Sequence, residues 1–486
     1  MSKDSFVLAI LVALLGLGSF VSCGGGNVNP PPPPPPIKVT ISPDTDTTVI
    51  INQTQKFTAN VAVTWSVGGA QGGNSTVGTI GTDGTYTAPN FVPDPAKVTV
   101  KATSVSDTSK SASVNVNVTM VAWNKDYKIT AAGEILHGAV AASNGNITAV
   151  GLDTLAQSHA VGISYDKNGN LLWAKTYNDF AFLAAAIDRE TETDLGGDLI
   201  ESNPVIGIPL VAAVDANGNI TRTTTCPGNG SGYIWASFQD SPTSGVFVGK
   251  LGDSVVIWKD VGGVVDCEDT TVVHDLDNQG TWPLFIVSTA DHYLLAGQYA
   301  GGVVTNKSSY VVMTDKSGNK IWRKNFPDVI AGIATERMEG TNLSVYFTGR
   351  DVSRNEQKFF TVRLDSQGNT WPGWPVEWNG DNPASGVLVN SPSGIVPNPS
   401  AVGGIVIAGF SSKLTAQDAN DTDTVLISYK PDGTVYWKHR THLSSVAGGE
   451  QIQGAILDPD NNMIVAGAGG LFNNITSLAA KIALPH

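Results

Sequence analysis

The chain has few of the residues from which reactive sites are usually built. It contains three cysteines and seven histidines in 486 residues. No cysteine pair has CxxC or CxxCH spacing, which argues against a thiolate zinc site and covalently attached haem. The histidines are scattered: His137, His159, His274, His292, His439, His442 and His486. His439 and His442 are three residues apart on an expected strand, where side chains at that spacing point to opposite faces. GxSxG, HExxH and Walker A sequences are absent. Positive charge is also scarce. There are 29 Lys and Arg against 43 Asp and Glu, a formal net charge of −14, so no nucleic-acid or anionic-lipid surface is expected. The one long apolar run, Phe6 to Phe20, is too short for a comfortable membrane span and has signal-peptide length.

What the chain does have is glycine, 53 residues of it, together with short Val-, Thr- and Ile-rich runs. That is the profile of an all-β protein with many turns, and the length implies more than one domain. "GGGNVNPPPPPPP" (24–36) cannot form a core. Its seven prolines favour extended polyproline II and span about 20 Å, which suits a stalk. Residues 37–120 alternate apolar and polar residues in short strands separated by Gly, Asp and Pro turns, the pattern of a small sandwich.

From residue 121 a unit recurs. "DKNGNLLW" (166–173) returns as "DANGNITR" (215–222), "DKSGNKIW" (315–322), "DSQGNTWP" (365–372) and "KPDGTVYW" (430–437). An apolar strand precedes each copy. Further upstream lies a strand that often ends in Gly, as in "NITAVG", "HYLLAG", "SVYFTG", "GIVIAG" and "NMIVAG". The repeat length is irregular, roughly 45–65 residues, and four-stranded units of this length stack into a β-propeller. The Asp/Asn-rich stretch could begin a calcium loop, but it lacks a late bidentate carboxylate and runs straight into a strand. An Asx-supported turn with Gly at positive φ explains every copy. The Trp that often follows is expected to pack between neighbouring blades.

The last unit stops at His486 without a fourth strand, whereas "VAWNKDYKI" (121–129) reads as a fourth strand with no blade before it. Joining the two ends gives seven blades and removes exposed sheet edges. The third unit, about 232–269, is the least regular. Cys226 and Cys267 bracket it and are expected to form a disulfide in an oxidising compartment.

Three resemblances are carried by these residues. Lys3, the apolar run and "FVSC" (20–23) resemble a bacterial lipoprotein signal. This implies cleavage after residue 22, acylation of Cys23, and anchoring in a lipid bilayer by more than one chain. Gly24 in place of Asp resembles outer-membrane sorting. The resemblance therefore implies an outer-membrane lipoprotein, periplasm-facing or surface-exposed, with residues 23–36 as its linker. Trp65 in "VTWSV", the "GTIGTDGTYTAP" run and "VTVKATSVSDTSKSASVNVNV" resemble bacterial Ig-like domains of the group 2 type, which serve mostly as spacers or adhesion modules. Residues 121–486 resemble propellers with a D-x-x-G-x-x-x-W signature, of the quinoprotein and barrel-assembly lipoprotein kinds. That signature specifies blades and says little about activity.

The expected fold is thus an all-β chain: an Ig-like sandwich, then a seven-bladed propeller. No catalytic residue, metal ligand or cofactor is assigned. The leading functional expectation is a non-catalytic envelope platform for an unidentified protein or glycan ligand. The alternatives are a glycan-acting propeller enzyme and an outer-membrane assembly factor. Trp371, Trp374 and Trp378 could stack on a sugar or serve packing. Asp418, Asp421 and Asp423 could hold calcium or form a solvated loop. The loops between second and third strands, such as 410–423, vary most and lie opposite the Asp/Gly turns, so a ligand is expected on their face.

Overall fold

The computed structural model describes residues 36–154, 159–189, 191–201, 206–226, 231–241, 243–262, 264–276, 280–299, 308–353, 357–380, 389–412, 422–470 and 475–486. Cys23 with its signal and most of the linker lie outside the described residues, as do Asp418 and Asp421.

Up to residue 119 the chain forms a five-stranded sheet, a four-stranded sheet and a two-stranded ribbon. Alternation supplies the core: in Lys97–Ser104 every second residue is buried. Phe57, Trp65, Tyr86, Val100 and Val116 meet between the sheets. The strand Ser111–Thr119 passes into the next strand, Val121–Tyr127, through the single buried residue Met120. The same core continues into the propeller through Trp437, Val465 and Leu484. The Phe91 ring meets Tyr436 edge-on at 5.5 Å. Asn90 exchanges two hydrogen bonds with the backbone of His486, at 2.8 and 3.0 Å. The sandwich is therefore packed onto the propeller.

Among the described residues the propeller comprises seven four-stranded antiparallel sheets. The first, innermost strands are Glu134–Ala141, Phe182–Arg189, Gly232–Ser241, Thr281–Ser288, Val329–Glu339, Asn390–Pro397 and Glu450–Leu457. Blade 7 takes its fourth strand from the other end of the chain: Val121–Tyr127 pairs antiparallel with Thr476–Ile482. Ring closure thus occurs as the incomplete last unit implies.

The Asp/Gly stretches are turns. Asp166 Oδ1 accepts the N–H groups of Asn168 and Asn170, both at 2.8 Å. Asp215, Asp315 and Asp365 repeat the arrangement. The Asn170 side-chain amide, which donates to Asp166 Oδ2 at 2.8 Å, and then these backbone N–H groups hold the Asp166 carboxyl below its ordinary range. The carboxylate is occupied by its own turn, which is the role expected of an Asx turn. Gly169 has φ 80°. A Cβ there would also lie 2.8 Å from the Trp123 ring, so the turn must be glycine for two reasons.

Those turns are the docking points between blades. Trp123 of blade 7 donates through Nε1 to Lys167 O in the turn of blade 1, at 3.2 Å. Trp322 of blade 4 donates to Ser366 O of blade 5 at 2.9 Å, and Trp374 of blade 5 to Pro431 O of blade 6 at 3.0 Å. All three indoles are buried, so each seam combines a large apolar area with a satisfied N–H.

The seam between blades 2 and 3 is built differently. Where Trp173 pairs with Ser164 in blade 1, Arg222 pairs with Ala213 in blade 2. Arg222 turns to Asp194 and Glu192, at 3.5 and 3.6 Å. Arg189 contacts Asp194 of its own blade and lies 3.7 Å from Asp260 of blade 3. Asp194 and Asp260 are both buried. Burial foremost, and then the nearby Asp260 carboxyl, push the Asp194 carboxyl up, while Arg189 opposes the shift. Cys226 follows the outer strand of blade 2, and Cys267 lies in the outer strand of blade 3. They are disulfide-bonded with a Cα–Cα distance of 5.1 Å. A covalent bond and an ionic cluster stand where the three seams described above use an indole on a turn.

Candidate functional site

The innermost strands share one irregularity. In every blade the pairing of first and second strands slips by at least one residue. The extra residues are His137, Ala184, Trp235, Leu284, Ala331 with Gly332, Ser393 and Gln453. A β-bulge re-aims its side chain and bends its strand. His137, Trp235, Leu284, Ala331, Ser393 and Gln453 accordingly converge on a central cavity of about 320 Å³, at the lower end of the range for small-molecule sites.

The bulges explain the glycines that lie two or three residues before the ends of the second strands. Gly151, Gly249, Gly297, Gly409 and Gly467 each pair with the residue just before a bulge. There the first-strand backbone comes so close that a Cβ on Gly467 would lie 2.0 Å from Gln451 O. Glycine in a strand marks such an approach.

The ring is chemically two-sided. Blades 6, 7 and 1 contribute Ser393, Gln453 and His137. Blades 3, 4 and 5 contribute Trp235, Leu284 and Ala331. No Asp, Glu, Lys or Arg is among the described lining residues. Burial pushes the His137 imidazole down to about 4, so it is neutral at pH 7, with one nitrogen to donate and one to accept. Ser237 and Gln298 are engaged by the scaffold. The Ser237 hydroxyl donates to Ala186 O at 2.9 Å, and Gln298 Oε1 accepts from Ala331 N at 3.0 Å. Among the described lining residues there is no carboxylate pair for glycoside hydrolysis. It can surround a neutral molecule and hydrogen-bond to one side of it.

An aromatic corner adjoins the apolar arc. Trp235 and Trp282 lie 5.8 Å apart with planes tilted by 53°. Tyr233 packs behind both, at 5.9 and 6.2 Å, and the His137 ring lies 6.5 Å from Trp235. Trp282 is 38% exposed, unlike the buried docking indoles. Tyr233 and Trp282 begin their first strands. In an up-and-down blade those ends share a face with the second-to-third-strand loops, opposite the Asp/Gly turns. This is the face on which a ligand is expected from the sequence. The 410–423 loop, one of the variable loops of that face, lies mostly outside the described residues.

The residues singled out in the sequence are used otherwise. Trp374 docks blades, Trp371 covers the Arg363 guanidinium at 4.0 Å, and Trp378 packs edge-on against Phe359 at 5.0 Å. Asp423 accepts from His442 across 3.0 Å. His159 contacts Asp153 at 3.1 Å, and His292 contacts Glu336 at 2.8 Å. Among the described residues no group of three or more His, Cys, Asp or Glu could hold a metal ion. Trp235 and Trp282 went unremarked in the sequence because neither lies in the repeated motif. The second-strand glycines were the available signal for the bulges.

The sequence matches no protein-family model and no curated protein. Several solved structures are similar in fold. Drosophila Plexin A in complex with Semaphorin 1b has 10% identity and a TM-score of 0.40, covering 75% of this chain and 87% of that one. A catalytically inactive virginiamycin B lyase from Staphylococcus aureus with quinupristin has 12% identity and a TM-score of 0.41, covering 73% and 98%. An endo-arabinase from Bacteroides thetaiotaomicron has 13% identity and a TM-score of 0.31, covering 50% and 89%.

Proposed function

We propose that this protein is a recognition module of the bacterial envelope whose propeller binds a neutral ligand in its central channel. The observation that carries this reading is the two-sided ring of bulge residues, polar on blades 6, 7 and 1 and apolar on blades 3 to 5. Seven-fold repetition alone would place equivalent side chains around the channel. Here the blades instead contribute different chemistry at the same structural position. Such a ring suits a molecule with a hydrogen-bonding edge and an apolar face, and it offers no charge to an ion.

In this reading the lipoprotein-like signal and Cys23 supply a bilayer anchor, the Gly/Pro linker (23–36) a stalk, and the Ig-like sandwich (37–120) a spacer. The contacts of Phe91 and Asn90 support a spacer that moves as one body with the propeller. Cys23→Ala is expected to shift the protein from the membrane pellet to the soluble fraction. A variant that stays in the pellet would mean an anchor of another kind.

The channel is tested by obstruction. Ser393→Trp places an indole in the cavity without touching a blade seam. Immobilised protein and this variant are each incubated with envelope extract, and the retained molecules are identified by mass spectrometry. A neutral small molecule held by the parent and lost from the variant is the expected result. Equal retention by both would move the binding surface away from the channel.

A further inference from the structure

We infer that the N-terminal sandwich is the clasp of the propeller. It stands in for the turn that blade 7 lacks, so the seam between blades 6 and 7 stays closed only while the sandwich is seated. This role is additional to spacing and does not depend on what the channel binds.

A buried donor points to it. Trp437 pairs with Ser428 in blade 6 as Trp173 pairs with Ser164 in blade 1 and Trp322 with Met313 in blade 4. By register it is the docking indole of blade 6. Trp123 and Trp322 each donate to a carbonyl in the next blade's turn. Blade 7 has no such turn to offer. Its third strand ends at Ile482, and its fourth, starting at Val121, comes from the other end of the chain. Trp437 is accordingly buried with its Nε1–H unpaired among the described residues, a loss that the seams of Trp123, Trp322 and Trp374 avoid.

The sandwich fills the place of the missing turn. Ala483 N donates to Met120 O at 2.8 Å, and Ile51 N to Thr119 O at 2.9 Å, so the end of blade 7 and the sandwich share one hydrogen-bonded junction. Phe91 meets Tyr436, the neighbour of Trp437. Asn90 holds the backbone of His486 and is itself held by Asn52 Nδ2 at 3.0 Å. Trp437 lies in one apolar cluster with Met120, Leu484 and the sandwich core. An apolar cover thus replaces the turn. The seam beneath it joins the innermost strands that carry Ser393 and Gln453, so its opening would reach the channel wall.

Hydrogen–deuterium exchange on the full chain tests this. Asn90→Asp combined with Phe91→Asp loosens the clasp at two positions that are not buried, and Phe91→Ala is the milder form with the same readout. Amide exchange is expected to rise about tenfold or more in Val435–Thr441, Thr476–Ile482 and Val121–Tyr127, as a local opening of the seam. The sandwich strand Lys97–Ser104 and the blade 3 strand Gly232–Ser241 should exchange as in the parent. Parent-like exchange at the seam would make the sandwich a passenger and overturn the inference. A rise that includes blade 3 would report general destabilisation and overturn it too. Replacing the indoles is an independent check. Trp322→Phe loses a satisfied hydrogen bond and should lower the melting temperature. Trp437→Phe removes the same ring volume without a hydrogen bond to lose, so it should lower the melting temperature less. An equal or larger fall would show that Trp437 docks as the other indoles do, which also overturns the clasp.

Discussion

Replacing Cys226 and Cys267 by serine is expected to lower unfolding stability by about 4 kcal/mol, from the chain entropy of the closed loop. The two cysteines are 41 residues apart. The loss should be felt because the seam they cross has no indole seated on an Asp/Gly turn. The disulfide shares that seam with the Arg189, Asp194 and Asp260 cluster, Arg222, hydrogen bonds from Ser237 and Gln239 to the backbone of Ala186 and Asp188, and the apolar cluster around Phe247 and Trp258. Buried ion pairs of that kind often do little more than offset their own desolvation. Urea unfolding with and without reductant measures the effect. The parent's midpoint should fall on reduction to that of the double serine variant, which should itself not respond. Coincident curves for the oxidised and reduced parent would show that the noncovalent contacts alone secure the seam.

An effect of at least similar size is expected on removing residues 121–127. The segment is the outer strand of blade 7, and it carries three kinds of contact. It pairs with Thr476–Ile482 along its length. Trp123 is buried against the turn of blade 1. Asp126 accepts from the hydroxyls of Ser444, Ser445 and Thr476, at 2.7, 2.8 and 3.1 Å. Trp123→Ala alone should cost about 3–5 kcal/mol, the usual loss for a buried Trp. Deleting the strand should go further. It would leave Thr476–Ile482 as an open edge and break the ring that the other seams depend on. Circular dichroism and calorimetry would read this as loss of a single cooperative transition. A shortened protein that melts as the parent does would show that the ring closes without its first strand.

Much of the fold could be read from the chain because its devices are local. An Asx turn needs Asp, Asn and Gly within five residues, as at 166–170, and recurs wherever those residues recur. Strand alternation is equally local. Even ring closure was legible, since a unit lacking its last strand and a strand lacking its unit complete each other only one way. The disulfide was legible because Cys226 and Cys267 are the two cysteines outside the signal-like segment, and they flank the least regular unit.

The site was less legible. Trp371, Trp374 and Trp378 drew attention because they are neighbours in sequence. The fold directs one to a blade seam, one to an arginine and one to a phenylalanine, so nearness along the chain did not become a shared surface. Trp235 and Trp282 come from different blades, and His137 from a third. Their meeting depends on how seven sheets are arranged around an axis. The sequence by itself determined the local geometry: the turns, the strands, and the glycines that permit a close backbone approach. Only the tertiary structure decided which side chains face the channel. A bulge arises from the pairing of one strand with another, and a one-residue slip decides whether a side chain points into a sheet's packing or into the central cavity.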